Sequence, residues 1–434
     1  MVELLSNLIR NRRVLLLGFG LEGLSTYKLL KEIGLFSRLD IADISPVQNI
    51  FDCTIYSGTG YLDHISEYDV VFKSPGIVLP RKSHDYSCII TSQTEVFLQY
   101  FNRQVIGITG TKGKSTVSSL LFHVLSTNNI PCILAGNIGI PVFEIVKDIK
   151  PETIVILELS CHQLEFCEYS PTVSVLLNIY EDHLDHYGSF ENYIKAKKNI
   201  YLHQRPLDLL YCHESVKPTR NESVSRSIII NKEILPFDSL EAIAGIKLRG
   251  KHNFSNCAFV YSIAKSFGIT DEEFVKSLQS YRPLRHRIEY IGTKNGVEYY
   301  DDSISTTVES AINAIESVQN TATILLGGLD RGIDYTALVD YLLESKLSNV
   351  ICMYESGKRI YEMLESRKSL KPELIYCKDL FDATVTAQKA TPPETACILS
   401  PASASYGDFK NFEERGDMFK RLIFDNMDCP SVEL

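Results

Sequence analysis

Gly107-Ile-Thr-Gly-Thr-Lys-Gly-Lys-Ser-Thr116 follows a strand pattern at 104–109 and opens a helix pattern at 115–125. In that context successive backbone N–H groups and a helix N-terminus cradle phosphate. Lys114 is placed to pair with β- and γ-phosphates, and the hydroxyl of Ser115 or Thr116 to reach Mg²⁺. The strict G-x-x-x-x-G-K spacing asks for glycine at 108, where Ile108 stands; Gly107 comes one residue early. Downstream, apolar runs at 153–157 and 173–177 read as further strands of the same parallel sheet. Glu158 closes the first of them, at the carboxyl end where open α/β sheets place ligands, and a carboxylate facing a phosphate loop suits Mg²⁺. After the second comes Asn178-Ile-Tyr-Glu-Asp-His-Leu-Asp-His186, in which His183 at the strand end is better placed than His186. Tyr193-Ile-Lys-Ala-Lys-Lys-Asn-Ile-Tyr201 has helical spacing and three lysines, which composition alone reads as a solvated basic face.

Upstream, Gly18-Phe-Gly-Leu-Glu-Gly23 fits G-x-G-x-x-G after the strand pattern 14–17, with Asp43 about twenty residues on, where an acid can bind ribose. Read alone, the turn serves a dinucleotide, a nucleotide sugar or plain helix-on-strand packing. Glu22 lies inside it and would repel a diphosphate, so a bound diphosphate requires its side chain to turn away. Strand and helix patterns alternate here, and again from 281 to 399, as in βαβ units. The stretch 93–103 reads as a boundary between the first two series.

The chain has 434 residues, and about 150 residues per domain gives roughly three domains. Lys and Arg number 44 against 54 Asp and Glu, so the net charge of -10 leaves no electrostatic footprint for nucleic acid or an anionic membrane. No apolar run approaches a membrane span, and Met1–Arg13 puts its arginines after the apolar stretch, the reverse of a signal peptide. The expectation is a cytoplasmic protein. Eleven cysteines without a C-x-x-C pair argue against a disulfide framework or a zinc site and read as small buried hydrophobes.

Gly110-Thr-Lys-Gly-Lys-Ser-Thr116, Glu158-Leu-Ser-Cys-His-Gln-Leu-Glu165, Glu181-Asp-His-Leu-Asp185, Gly250-Lys-His-Asn253 and His286-Arg287 resemble, in order, the signatures of the Mur ligases. The run from Leu399 to Gly416, with Ser-Pro-Ala-Ser-Ala-Ser and Phe-Lys-Asn-Phe-Glu-Glu-Arg-Gly, is similar to the branch that adds D-glutamate to UDP-N-acetylmuramoyl-L-alanine (UDP-MurNAc-L-Ala) in peptidoglycan precursor synthesis. The resemblance covers nearly the whole chain, and the early Gly107 fits the family's own loop. It displaces the dinucleotide reading of the first glycine turn, which would imply a dehydrogenase. A sister branch uses L-glutamate; a folylpolyglutamate-type ligase or a non-catalytic nucleotide switch would leave residues 1–102 or Glu158, His183 and Lys197 unexplained.

The resemblance implies an α/β protein of three domains. These are a Rossmann-like UDP-sugar-binding domain at 1–100, a central P-loop ATPase-like domain with a parallel sheet at 101–288, and a Rossmann-like amino-acid-binding domain at 289–434. Gly18, Gly20, Gly23, Asp43, Ser74 and Gly76 would hold the UDP moiety, with Asn137, Ser160 and His183 toward the muramoyl-alanine end. Gly110, Thr111, Lys112, Gly113, Lys114, Ser115 and Thr116 would hold the ATP phosphates, Asn253 and Asn256 border adenine, His286 and Arg287 meet the γ-phosphate, and Asp302 the ribose. Two Mg²⁺ would sit among Ser115, Glu158, His183 and Lys197, the last carbamylated by CO₂; Lys195 and Lys198 keep the solvated face. Thr306, Arg331, Ser405 and Phe412 would hold glutamate. Lys114, Glu158, His183, Lys197 and Arg287 would carry catalysis in a monomer. This chain departs from some members at Glu22, Ile304 and Arg331: Ile304 replaces a lysine, and Arg331 replaces a second lysine with a group able to grip a carboxylate bidentately.

Overall fold

The computed structural model describes residues 1–47, 50, 52–181, 184–248, 251–318, 320–367 and 372–425. Three sheets follow one another along the chain. The first comprises β1 (Arg13–Leu17), β2 (Arg38–Asp43), β3 (Ile55–Ser57), β4 (Val70–Lys73) and β5 (Ile89–Thr91), all parallel, in the order β3-β2-β1-β4-β5. The second comprises β6 (Val105–Thr109), β7 (Cys132–Gly136), β8 (Ile154–Glu158), β9 (Val173–Leu176), β10 (Leu209–Cys212) and β11 (Arg226–Ile229). These too are parallel, in the order β11-β10-β9-β6-β8-β7. The third comprises β12 (Glu289–Lys294), β13 (Val297–Asp301), β14 (Thr321–Leu326), β15 (Asn349–Met353), β16 (Glu373–Cys377) and β17 (Ala396–Leu399), ordered β12-β13-β17-β14-β15-β16. Only the β12–β13 hairpin is antiparallel among its described pairs. The fold class is α/β, as expected.

The strands form where the sequence runs apolar. Val14 to Leu17, Val155 to Leu157 and Ile324 to Leu326 are buried, because parallel strands flanked by crossover helices have no wet face. Sequence patterning overlooks β3, β5, β7, β10, β11 and β12. Several of these are short edge strands, and β3 and β5, at three residues each, are too brief for periodicity to register.

By contact density the chain divides into two units, Met1–Asp238 with Ser255–Leu278, and Ser239–Phe254 with Gln279–Leu434. The first unit holds the first two sheets over one continuous core that includes Leu16, Phe72, Phe97, Val155 and Leu157. Residues 93–103, read as a boundary, fold in part as the helix Gln93–Phe101. Ser92 Oγ caps it by accepting from Glu95 N at 3.0 Å, and Val96, Phe97 and Leu98 bury into that core. Its first turn, Gln93-Thr94-Glu95, is polar and disguises the apolar residues that follow. The second unit holds the third sheet between two apolar clusters, one on each face. Among the described residues all ten cysteines are free and eight are buried, as small hydrophobes would be, and no helix is long and apolar enough to cross a membrane.

In the second unit the helix Phe412–Phe424 packs so closely on the start of the third sheet that a Cβ on Gly416 would lie 2.2 Å from His286 Nδ1 and 2.5 Å from Asp301 Oδ2. Helix propensity favours alanine over glycine by about 1 kcal/mol. Overpacking opposes it, and Gly416→Ala is expected to lose about 2 kcal/mol net in urea unfolding of the second unit. An unchanged midpoint would show that the contact yields freely.

Candidate active site

The predicted residues of the first unit cluster at the carboxyl ends of β1, β2, β4, β6, β7, β8 and β9. After β1 the chain turns at Gly18, whose φ of +92° and whose virtual Cβ, 2.7 Å from Ser74 Cβ, both demand glycine. Ser74 Oγ donates to Gly18 O at 3.1 Å, tying the 74–76 turn to the glycine turn. Asp43 accepts from Phe19 N at 2.6 Å and Ser45 N at 2.8 Å, so its carboxylate secures the turn backbone. A pocket of about 290 Å³ opens here, lined by Gly20, Glu22 and Ser74 from one sheet and by Gly136, Asn137 and Gln163 from the other. Glu22 is turned aside, accepting from Gln163 Nε2 at 2.7 Å. Burial raises its carboxyl pKa, against smaller opposing effects of that bond and of Lys73.

The phosphate loop joins β6 to the helix Lys114–Thr127 through Gly113 at φ +87°. Asn178 braces it from β9: Thr111 N donates to Asn178 O at 3.0 Å and Lys112 N to Asn178 Oδ1 at 2.9 Å. Lys114 Nζ donates to Gly110 O and Thr111 O, both at 3.0 Å, and so curls over the loop it serves. Ser115 is buried in the first helical turn and Thr116 is half-buried beside it. Asn256 lies against the loop, since a Cβ on Gly113 would sit 2.7 Å from its Oδ1; Asn253 is one turn earlier on the helix Lys251–Ser266.

Beside the loop, Asn137 Nδ2 donates to Glu158 Oε1 at 2.9 Å, while Glu158 Oε2 is buried and finds no partner among the described residues. A buried carboxylate oxygen left bare is expensive, and it is what a cation ligand looks like before the cation arrives. With a hydroxyl at Ser115 nearby in sequence to the loop lysine, this donor set of hard oxygens fits Mg²⁺. Lys197 is 1% exposed and donates to Gly110 O at 2.8 Å, whereas Lys195 pairs with Glu191 and Lys198 with Glu222 on the outside. Of the three lysines it alone is buried. Ser160 caps the short helix Cys161–Leu164 through a reciprocal bond with Gln163. His183 lies outside the described residues.

In the second unit the candidates gather at the ends of three neighbouring strands, β13, β17 and β14. His286 is buried with Nδ1 2.7 Å from Asp301 Oδ2, and φ is positive at both His286 (61°) and Ile288 (46°). A β-branched residue there is strained, and Arg287 is the residue so presented. Its Nε is buried without a partner among the described residues. Asp302 is buried as well, accepting from Ile288 N at 3.1 Å and Ser400 Oγ at 2.7 Å. Arg331 is exposed over the Tyr406 ring at 5.5 Å, Thr306 is exposed, Ser405 is buried, and Phe412 is half-buried 6.1 Å from the His286 ring.

Sequence reasoning passed over three residues that organise these groups. Asn178 stood within a quoted motif but was given no role. Lys73, ending an apolar strand, carried no signal. Arg415, inside the Phe-x-x-Phe-x-x-Arg-Gly pattern, is fully buried and binds Ser303 O, Ser403 O and Ala404 O at 2.8–3.3 Å.

Residues 108–215 match the Mur ligase middle domain. The UDP-N-acetylmuramoylalanine–D-glutamate ligase of Clostridium kluyveri is 30% identical over 392 residues, covering 85% of each chain. That of Acetivibrio thermocellus is also 30% identical, covering 96% of this chain and 97% of its own. The chain belongs to the Mur ligase family. As a Mur ligase it is an enzyme, an ATP-dependent amide ligase. The MurF ligase of Thermotoga maritima, solved in complex with ADP, shares the fold at a TM-score of 0.59 over 96% of both chains and 16% identity.

Burial pushes the Asp302 carboxyl up to about 7, against lowering by the Ser305 and Ser400 hydroxyls. Between its ordinary value of 3.8 and about 7 the folded ligase keeps a proton that the unfolded chain has lost. Its stabilising contribution is therefore complete below 3.8 and disappears as pH rises through about 7. Asp302→Asn is expected to flatten that stretch of the stability–pH curve in urea titrations at pH 5 and pH 8; a parallel curve would contradict the shift.

Proposed function

We propose that this Mur ligase joins D-glutamate to UDP-MurNAc-L-Ala, with ATP hydrolysed to ADP and phosphate, as a cytoplasmic monomer. The reading rests above all on Asn137, which lines the pocket beneath the first glycine turn and also holds Glu158 beside the phosphate loop. One side chain thus borders both an acceptor pocket and a nucleotide-cation site. The names of the relatives support D-glutamate as the amino acid. The division into 1–100, 101–288 and 289–434 is kept as the functional one: one sheet and one substrate per segment.

In this reading the L-alanyl carboxylate attacks the γ-phosphorus, the bond to the bridging oxygen breaks, and ADP leaves an acyl phosphate. The glutamate amine then attacks the acyl carbon and releases phosphate. Two anions must approach, so the chain's cations do most of the work. Lys114 turns from Gly110 O and Thr111 O to the β- and γ-phosphates. Arg287 meets the γ-phosphate with its buried Nε. Asn253 and Asn256 border adenine and Asp302 the ribose, while Gly18, Gly20, Gly23, Asp43, Ser74 and Gly76 hold UDP. Asn137, Ser160 and His183 approach the alanyl end, and Thr306, Arg331, Ser405 and Phe412 receive glutamate. Bound Mg²⁺, at up to two sites, would neutralise phosphate charge; Ser115, Glu158, His183 and Lys197 as its carbamate would hold it.

Phosphate release in the presence of ATP, Mg²⁺, UDP-MurNAc-L-Ala and each glutamate enantiomer tests the reading. Release with D-glutamate alone is expected. Release with L-glutamate alone transfers the chain to the sister activity, and none with either removes the proposal. For Lys197, ¹³C-bicarbonate should yield a carbamate resonance that Lys197→Ala abolishes, with activity lower by about 100-fold. Full activity in that variant would dismiss the carbamate.

A further inference from the structure

Lys73 ends β4 after three apolar residues and is 4% exposed. A buried ammonium is sustainable only among acceptors. Its Nζ donates to Ser74 O at 3.3 Å and Pro75 O at 3.1 Å, lies 3.8 Å from Glu165 Oε2, and stands 5.1 Å from the Phe166 ring centre. Lys73 and Glu22 also share the wall of a cavity of about 10 Å³, with space for a single water. Glu22 also lines the 290 Å³ pocket. One carboxylate therefore shares a wall with an enclosed ammonium and also lines the pocket read above as the seat of a diphosphate.

We propose that Lys73 is a positioning residue for the sugar nucleotide, one that clamps the 74–76 turn to the 160–165 segment and balances the Glu22 charge so that an anionic diphosphate can enter. Both clamped segments reach the pocket, through Ser74 and through Gln163. Without the ammonium, Glu165 would keep His186 Nε2 at 3.2 Å, but Glu22 would leave uncompensated negative charge behind the pocket wall, in a half-enclosed setting where screening is weak. The bond from Gln163 explains why Glu22 is retained: it turns the carboxyl aside and fastens the glycine turn to the helix that Ser160 caps. This role rests on the sugar-nucleotide reading of the pocket.

Calorimetric titration of the full chain with UDP-MurNAc-L-Ala tests it, using Lys73→Met, Glu22→Gln and the double variant. Lys73→Met should weaken binding about 30-fold, and adding Glu22→Gln should recover at least about tenfold of that, because the amide still accepts from Gln163 but carries no charge. A merely structural lysine would show no such rescue. Affinity for Lys73→Met within threefold of wild type, or a double variant no tighter than Lys73→Met, overturns the proposal. Should Lys73→Met fail to fold by circular dichroism, Glu22→Gln alone decides. It is expected to bind at least as tightly as wild type, and a tenfold loss overturns the role. Wild-type protein that binds ATP but not the sugar nucleotide overturns the functional reading and this role together.

Discussion

The hydrogen bond from Asn137 Nδ2 to Glu158 Oε1 is the contact on which the first unit's chemistry depends. Parallel pairing of β7 with β8 sets Gly136 opposite Glu158, and a Cβ on Gly136 would lie 2.3 Å from Glu158 O. The glycine lets the two strand ends close up, and Asn137 then reaches across. One carboxylate oxygen is fixed, and the other is buried with no partner among the described residues. Such an arrangement costs stability in the absence of a cation and so stores affinity for one. The phosphate loop on β6 is the next strand over, so sheet order alone brings the cation site and the phosphate site side by side.

How far the sequence disclosed this depends on how local the cause is. Gly113 and Lys114 were legible because a strand, a glycine and a helix start lie within a few residues of one another, and Glu158 because it closes an apolar run at a strand's carboxyl end. The distinction among Lys195, Lys197 and Lys198 came from family resemblance and not from spacing, which reads all three as one basic face; burial separates them. The helix Gln93–Phe101 was obscured because its first turn is polar while its core-facing residues serve a cluster assembled from two sheets. Asp43 was assigned to a ligand by its spacing and His286 by the family resemblance, and each also has a partner within the fold. Asp43 is bonded to backbone of the glycine turn, and His286 is enclosed against Asp301. Lys73 depends wholly on partners some ninety residues away, at Glu165, and on the turn that follows it.

The second unit solves a different problem. Of its candidate residues, Asp302, Thr306, Arg331 and Ser405 sit on three loops that leave β13, β14 and β17, and loops alone hold geometry poorly. Arg415 supplies the frame, spreading its guanidinium over carbonyls at Ser303, Ser403 and Ala404, while Leu329 N donates to Ala404 O at 2.9 Å and brings in the third loop. Burial lowers the Arg415 pKa to about 10, so it remains a cation through the neutral range.

Because the frame is fastened through backbone carbonyls, the side chains it displays carry little responsibility for its shape. Ile304, Arg331 and Tyr406 can be exchanged without dismantling the scaffold beneath them. A lineage that changes the amino acid it accepts needs new side chains on an old mounting, and the departures at 304 and 331 are the kind of variation such a mounting tolerates.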